Sequence, residues 1–147
     1  RSGRTVPLVW FRPERTAEVE GAIDPGRLPE NYFRRGGLDV RTVLCSLSPS
    51  KADRARCRTR VRDDPIIAAY DAARHPAQQT LIAELLKKYP ESVLVILKDP
   101  ADAGCFPDAR TVIVTFGYTP ASLRALAETV IGRRVEPGGT PLKEEIP

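Results

Sequence analysis

The residues whose types could support chemistry are concentrated in one short segment of this sequence, residues 71–75. The segment contains Asp71, Arg74 and His75, which is the single histidine among the 147 residues. It follows residues 65–70, a nearly continuous apolar run that predicts a strand buried on both faces. Ligands of open α/β sheets bind beyond the carboxyl ends of strands, so the segment predicts a polar binding site. The alternative is that Asp71 and His75 only satisfy backbone groups in a turn before a helix, as these residue types often do.

Five strand-like runs of β-branched and apolar residues form the frame that must position this segment. They cover residues 5–11, 40–46, 65–70, 92–97 and 111–115. Helix-like stretches at residues 30–35, 50–62 and 76–89 separate them, residues 100–106 make a short crossover, and a last helix follows at 120–132. Strands that alternate with helices predict an α/β fold with three α/β/α layers. The sheet is expected to have five mainly parallel strands in the flavodoxin-like order 2-1-3-4-5.

The last strand and helix, residues 111–132, form the best-defined unit. Thr119 is expected to be the N-cap of this helix, Pro120 its first residue and Gly132 its end. We therefore predict a single α/β domain over residues 1–132 and an extended C-terminal tail, rich in Pro and Gly, over residues 133–147. In the first strand, Pro7 argues against a central place in the sheet.

The predicted strand order also locates a crevice. In the order 2-1-3-4-5 the sequence of strands reverses between the first and third strands, and ligands of such sheets bind at this reversal. Arg12 and Glu14 from the first loop, and Asp71, Arg74 and His75 from the third, are expected to line it.

Several function classes are excluded by what the sequence lacks. A phosphorylated receiver domain needs an acidic pair after the first strand to hold Mg²⁺, and residues 11–13 are Phe-Arg-Pro. Neither a GxGxxG nor a GxxxxGK[ST] motif follows any strand, so we expect no nucleotide cofactor. No apolar run approaches the ~18 residues of a membrane span. The sequence contains no Met, even at position 1, and is expected to be a piece of a longer protein.

The cysteines and the densest run of arginines predict no further site. Cys45, Cys57 and Cys105 are widely spaced without a CxxC pair, so neither a zinc site nor a redox motif is predicted, and Cys45 is expected to be a small core residue. Five arginines recur at every second position of residues 54–62 without interleaved aromatic residues. Nucleic-acid binding usually adds aromatic stacking, so we expect a solvated helix face and no nucleic-acid partner.

Three segments, in the same order, resemble the C-terminal domain of glycoside hydrolase family 3 in its β-N-acetylhexosaminidase branch. Residues 116–133, FGYTPASLRALAETVIGR, resemble the family pattern YGYTPxSLxAL and the helix that follows it. Residues 70–78, YDAARHPAQ, resemble YNAHLNPGQ without a gap, and residues 97–108 resemble the strand and loop SPYDL…FP. The resemblance covers roughly the second half of the chain.

The resemblance implies a domain that is not itself catalytic. In this branch the nucleophilic Asp and the acid/base His lie on a separate (β/α)8 barrel, so no residue of this chain is expected to be catalytic, and His75 is not the family's catalytic His. The expected partner is that barrel, with an N-acetylated sugar at the boundary. The candidates to face sugar or barrel are Arg12, Asp71, Arg74, His75 and Tyr118. The family's loop His is Ala73 here. The alternative is a free-standing flavodoxin-like domain that binds a protein or ligand.

Overall fold

The computed structural model describes residues 5–12, 29–115 and 119–135. Within them the chain forms five strands, β1 (Val6–Phe11), β2 (Val40–Cys45), β3 (Ile66–Ala69), β4 (Val93–Ile96) and β5 (Thr111–Val114). The helices are α1 (Glu30–Arg35), α2 (Lys51–Arg60), α3 (Pro76–Lys88) and α4 (Pro120–Val135). Two short 3₁₀ turns, Ala72–Arg74 and Pro100–Cys105, follow β3 and β4.

The five strands form one sheet in the order β2-β1-β3-β4-β5, which confirms the predicted topology. All four pairings are parallel. The central strands β1, β3 and β4 are rich in apolar residues and almost wholly buried, as expected for strands with helices on both faces, whereas the edge strands β2 and β5 are partly exposed. The short crossover predicted at residues 100–106 connects β4 to β5 and contains the 3₁₀ turn Pro100–Cys105.

Pro7 was expected to keep β1 out of the centre, but β1 lies between β2 and β3. The N–H of Val6 donates to the Asp39 carbonyl on the β2 side, at 2.9 Å. Since successive strand N–H groups face opposite sides, the Pro7 nitrogen faces β3. Pairing with β3 begins only at Leu8, opposite Ile66, so the proline interrupts no hydrogen bond of that ladder.

Helices cover both faces of the sheet, and the close approach of α1 to α4 depends on a glycine. At Gly36 an added Cβ would lie 2.6 Å from the Arg124 carbonyl oxygen and 2.7 Å from the Cβ of Ala127. On the α2 and α3 layer, the Tyr89 hydroxyl donates to the Val61 carbonyl at 2.8 Å. The arrangement is the predicted three-layer α/β/α fold.

Two details of the helices differ from the sequence prediction. The helix α2 ends at Arg60 and not at residue 62, and Val61, directly after it, is buried. The helix α4 continues to Val135 instead of ending at Gly132, and Gly132 does not have the positive φ of a helix-terminating glycine. The proposed division at residue 132 stays a prediction, since residues 136–147 lie outside the described ranges. None of the helices in those ranges has the length and apolar character to cross a membrane.

Candidate functional site

Because every strand is parallel, the segments that follow the five strands meet at one edge of the sheet. We call this the carboxyl edge, and it comprises Arg12, residues 46–48, 70–75 and 97–99, and Thr115. The crevice predicted between β1 and β3 would fall at this edge, beside the residues that follow β2 and β3.

The loop after β3 has an unusual backbone at its first turn. Asp71 has φ 57° and ψ 38°, and among the described residues other than glycine it alone has a positive φ. Asp tolerates this left-handed conformation better than most residues, because its short side chain can bond locally. The chain then makes the 3₁₀ turn and enters α3 at Pro76, whose missing N–H costs nothing at the first helical position.

Asp102 holds this loop from the β4 to β5 connection. Its side chain is 1% exposed, and its two carboxylate oxygens accept hydrogen bonds from the backbone N–H groups of Ala72 and Ala73, each at 3.2 Å. Hydrogen bonds to a buried carboxylate are stronger than neutral ones. The loop is therefore fixed by a residue about thirty positions away in the sequence.

Gln78 ties the loop after β3 to the loop after β2. Its side chain is fully buried and accepts a hydrogen bond from the Tyr70 N–H at 3.1 Å. Its amide nitrogen donates to the carbonyls of Leu47 and Tyr70, at 3.0 and 3.1 Å. Each polar atom of this buried amide has a partner, and these hydrogen bonds join the two loops.

Four charged or polar side chains lie close to one another above these anchors. The Nδ1 atom of His75 lies 2.9 Å from the Ser48 hydroxyl, and its Nε2 atom lies 4.0 Å from an oxygen of Asp71. The Arg74 Nε atom lies 4.0 Å from the other Asp71 oxygen. The structure thus brings together the three residues predicted from the β3 loop and adds Ser48.

This order of hydroxyl, imidazole and carboxylate resembles a nucleophilic triad, but its geometry does not support one. A triad requires a hydrogen bond between the imidazole and the carboxylate, and 4.0 Å exceeds that length. The cluster instead contains the exposed guanidinium of Arg74, whose side chain is 79% exposed. It lies beside the half-buried side chains of Asp71 and His75. These groups can pair with a charged partner or hydrogen-bond the hydroxyl and amide groups of a sugar.

The alternative of simple turn capping is not what the structure shows. In the described part of the chain, neither Asp71 nor His75 makes a side-chain cap hydrogen bond. The backbone of the loop is satisfied by Asp102, by Gln78, and by Gln79, whose side chain donates to the Ala72 carbonyl at 2.8 Å. The side chains of Asp71 and His75 are therefore turned to each other and to their neighbours.

Two further cations, Arg12 and Lys98, follow strands at the carboxyl edge. Arg12 is exposed at the end of β1, with its N–H donating to the Cys45 carbonyl at 2.9 Å. Lys98, after β4, places its ammonium 5.4 Å from the centre of the Tyr70 ring. The candidates Glu14 and Tyr118 lie outside the described residues. Within the described ranges, no hydrogen bond or ion pair joins Arg12 to the β3 loop.

Sequence reasoning missed the anchors of the cluster. Gln78 is the last residue of the segment 70–78 that resembles the glycosidase pattern, so the sequence did single it out. Nothing in the sequence indicated that its side chain would join two loops. Ser48 and Asp102 reach the β3 loop from other connections, and only the strand order brings them there. The residues that the structure describes contain no group of three His, Cys, Asp or Glu side chains placed to hold a metal ion.

Comparison with known proteins finds likeness at the level of the fold. A solved β-N-acetylglucosaminidase of glycoside hydrolase family 3 from Paenibacillus sp. str. FPU-7 matches with a TM-score of 0.73 and 22% identity, over 88% of this chain and 25% of that one. A fungal multi-domain β-N-acetylglucosaminidase of the same family matches with a TM-score of 0.63 and 20% identity, over 90% of this chain and 15% of that one. No protein-family model and no curated protein sequence matches significantly.

The fold that this chain shares with the two solved structures is a small part of each of those proteins. The chain spans a quarter or less of the length of each solved structure that it resembles. Both of those proteins are glycosidases that are much longer than the fold they share with this chain. The shared fold is the three-layer α/β/α unit described above.

Proposed function

We propose that this chain is the non-catalytic C-terminal α/β domain of a family 3 glycoside hydrolase of the β-N-acetylhexosaminidase type. In this proposal it packs beside a separate (β/α)8 barrel that carries the catalytic residues, and it shapes one wall of the sugar site. The observation that carries the proposal is the fold match with a family 3 β-N-acetylglucosaminidase over 88% of this chain and only 25% of that protein. The three sequence segments that resemble the same branch support it independently.

The carboxyl edge is the surface that we propose for docking. It collects cations from three connections, Arg12, Arg74 and Lys98, of which Arg74 lies 4.0 Å from the Asp71 carboxylate. Interfaces between proteins favour arginine over lysine, and rim charges there set orientation more than affinity. Fixed anchors below the edge, Gln78 and Asp102, keep it in one conformation, which lowers the ordering cost of association.

The same edge supports contact with an N-acetylated sugar at the boundary between the two domains. Sugar hydroxyl and acetamido groups need donors and acceptors held at fixed positions. The imidazole of His75 and the carboxylate of Asp71 are half buried and supply both kinds of group. In this role they contribute to binding and not to bond cleavage.

The proposal that this chain is not catalytic by itself can be tested by assaying the 147-residue chain alone on an aryl N-acetyl-β-glucosaminide. We expect no hydrolysis above the buffer rate, because glycosidases of this kind need a pair of positioned groups that the proposal assigns to the barrel. Hydrolysis that copurifies with the chain, and that is lost in Asp71→Asn, would show that the chain is catalytic by itself. A Glu84→Gln variant, altered on the exposed face of α3, is the matched control for loss of a carboxylate.

A further inference from the structure

Two cysteines that are twelve positions apart in the sequence meet in the core. Cys45 is the last residue of β2, and Cys57 lies in the second half of α2. Their sulfur atoms are 3.5 Å apart, in direct contact. Spacing alone gave no sign of a redox motif, because the pairing depends on the packing of α2 against the sheet.

The surroundings of the pair exclude the usual alternative, a metal site. Cys45 is 3% exposed and Cys57 is 0% exposed. Zinc takes four ligands, and the described residues place no third His, Cys, Asp or Glu side chain suitably with the two thiols. The nearest charges, Asp53 and Arg56, are bound to each other at 3.0 Å. Each thiol is therefore left with the other thiol as its reactive neighbour.

We propose that Cys45 and Cys57 form a dithiol site that a small peroxide, reaching the buried sulfurs when the short helix α2 opens locally, oxidises to an intrachain disulfide, which links the end of β2 to α2. A disulfide bond is about 2.05 Å long, so the sulfurs must approach by roughly 1.5 Å from their contact distance. Both residues sit on regular elements, and α2 is a short helix of 10 residues, so side-chain rotation with a small shift of the helix supplies this approach.

The reaction balances in two steps. The Cys57 thiolate sulfur attacks one oxygen of hydrogen peroxide, the O–O bond breaks, and the departing hydroxide takes up a proton to leave as water; Cys57 becomes a sulfenic acid. The Cys45 sulfur then attacks the Cys57 sulfur, the S–O bond breaks, and the second hydroxide leaves as water with the Cys45 proton. The two thiols lose two electrons in total, and the peroxide gains them.

The roles of the two cysteines follow from their mutual hydrogen bond. That bond lowers the pKa of Cys57 and raises the pKa of Cys45, which burial raises further. The thiolate is the reactive form, so Cys57 is the attacking group and Cys45 the resolving one. Cys105, the third cysteine, is half buried, and burial together with Asp102 raises its pKa.

The test uses the full chain with Cys105→Ser, so that only the pair is left to react. After treatment with hydrogen peroxide and removal of the excess, the intact protein should lose about 2 Da, the mass of two hydrogen atoms. Unfolded in denaturant, it should take up no maleimide until a reductant restores two reactive thiols. Its Tm should rise by about 5 °C or more, because the cross-link restricts the unfolded chain.

The wild-type chain, treated in parallel, calibrates the dose, since oxidation of Cys105 shows that the peroxide was effective. In the Cys45→Ser, Cys105→Ser chain the same dose should add oxygen to Cys57 without the loss of about 2 Da. The proposal is overturned if Cys105 gains oxygen while the pair keeps two maleimide-reactive thiols. It is equally overturned if the pair gains oxygen atoms and no disulfide forms.

Discussion

At the scale of single residues, Asp53 is the most heavily bonded charge in the described part of the chain. Its carboxylate accepts from the N–H groups of Ser46 and Ser50 at 3.2 and 3.1 Å, and from Arg56 at 3.0 Å. The Ser50 hydroxyl accepts from the Asp53 N–H in return, which completes a capping box at the start of α2. Burial alone would raise the pKa of Asp53, but these hydrogen bonds outweigh it and hold the pKa below its usual value.

Replacing Asp53 by Asn should lower the free energy of unfolding at pH 7 by about 1–3 kcal/mol, because charged hydrogen bonds are lost around a 12% exposed side chain. A lowered folded pKa contributes stability above the unfolded pKa of about 3.9 and loses it as the pH falls through the folded value. Urea unfolding from pH 7 to about pH 3 should therefore show a steeper acid loss for wild type than for Asp53→Asn. Parallel curves for the two proteins would contradict this role.

At the scale of elements, the strands were predictable and the helix contacts were not. Runs of β-branched residues give the strands directly, so β4 and β5 came out within one residue at each end. Gly132 was read as a helix end, since the sequence does not distinguish a terminating glycine from one inside the last turns. Arg56 was read as solvated, yet it donates to the Leu44 carbonyl at 2.7 Å, a contact that depends on how α2 packs.

Two glycines should respond in opposite ways to the same substitution. Gly36→Ala should destabilise the fold by about 1–3 kcal/mol, because its Cβ would meet α4 at 2.6 Å. Gly132→Ala should stabilise it by about 0.5 kcal/mol, since nothing lies within 4 Å of the added Cβ and alanine favours the helix. Urea midpoints measure both. A destabilising Gly132→Ala would show that the glycine terminates the helix after all.

The exposed arginines of α2 and the residues after it should not bind nucleic acid. Arg58, Arg60 and Arg62 are exposed, and Arg58 lies 3.4 Å from Glu84 on α3. We expect fluorescence anisotropy to detect no salt-dependent affinity for DNA or RNA near the micromolar range, since phosphate binding would carry that salt signature. An affinity that the triple Arg58→Ala, Arg60→Ala, Arg62→Ala variant abolishes would reverse this interpretation.

At the scale of the whole molecule, alternation of strands and helices predicted a parallel sheet, and the order 2-1-3-4-5, which suits five such units, is also the one that the family resemblance implied. The sequence predicted only the part of the candidate site that lies in the loop after β3. Asp71, Arg74 and His75 are neighbours in the sequence, but Ser48 and Asp102 join them from connections that lie 27 and about 30 positions away. Such contacts follow from the strand order and not from any local pattern, which is why the anchors were missed.

The central claim is that the carboxyl edge docks this domain to a glycosidase barrel. It can be tested by measuring hydrolysis of an aryl N-acetyl-β-glucosaminide by the natural full-length protein that contains this chain. Three forms are compared: wild type, an edge variant with Arg74→Ala and His75→Ala, and the control Arg110→Ala, whose exposed arginine precedes β5 at the opposite edge. Tm values of the three isolated domains show whether the substitutions leave the fold intact.

We predict that the natural protein hydrolyses the substrate and that the edge variant is slowed roughly tenfold, because a loosened wall misplaces the sugar. The Arg110→Ala protein should stay within about twofold of wild type, as expected for a surface charge far from the interface. A natural protein without hydrolysis, or an edge variant as active as the Arg110→Ala control, would contradict the account.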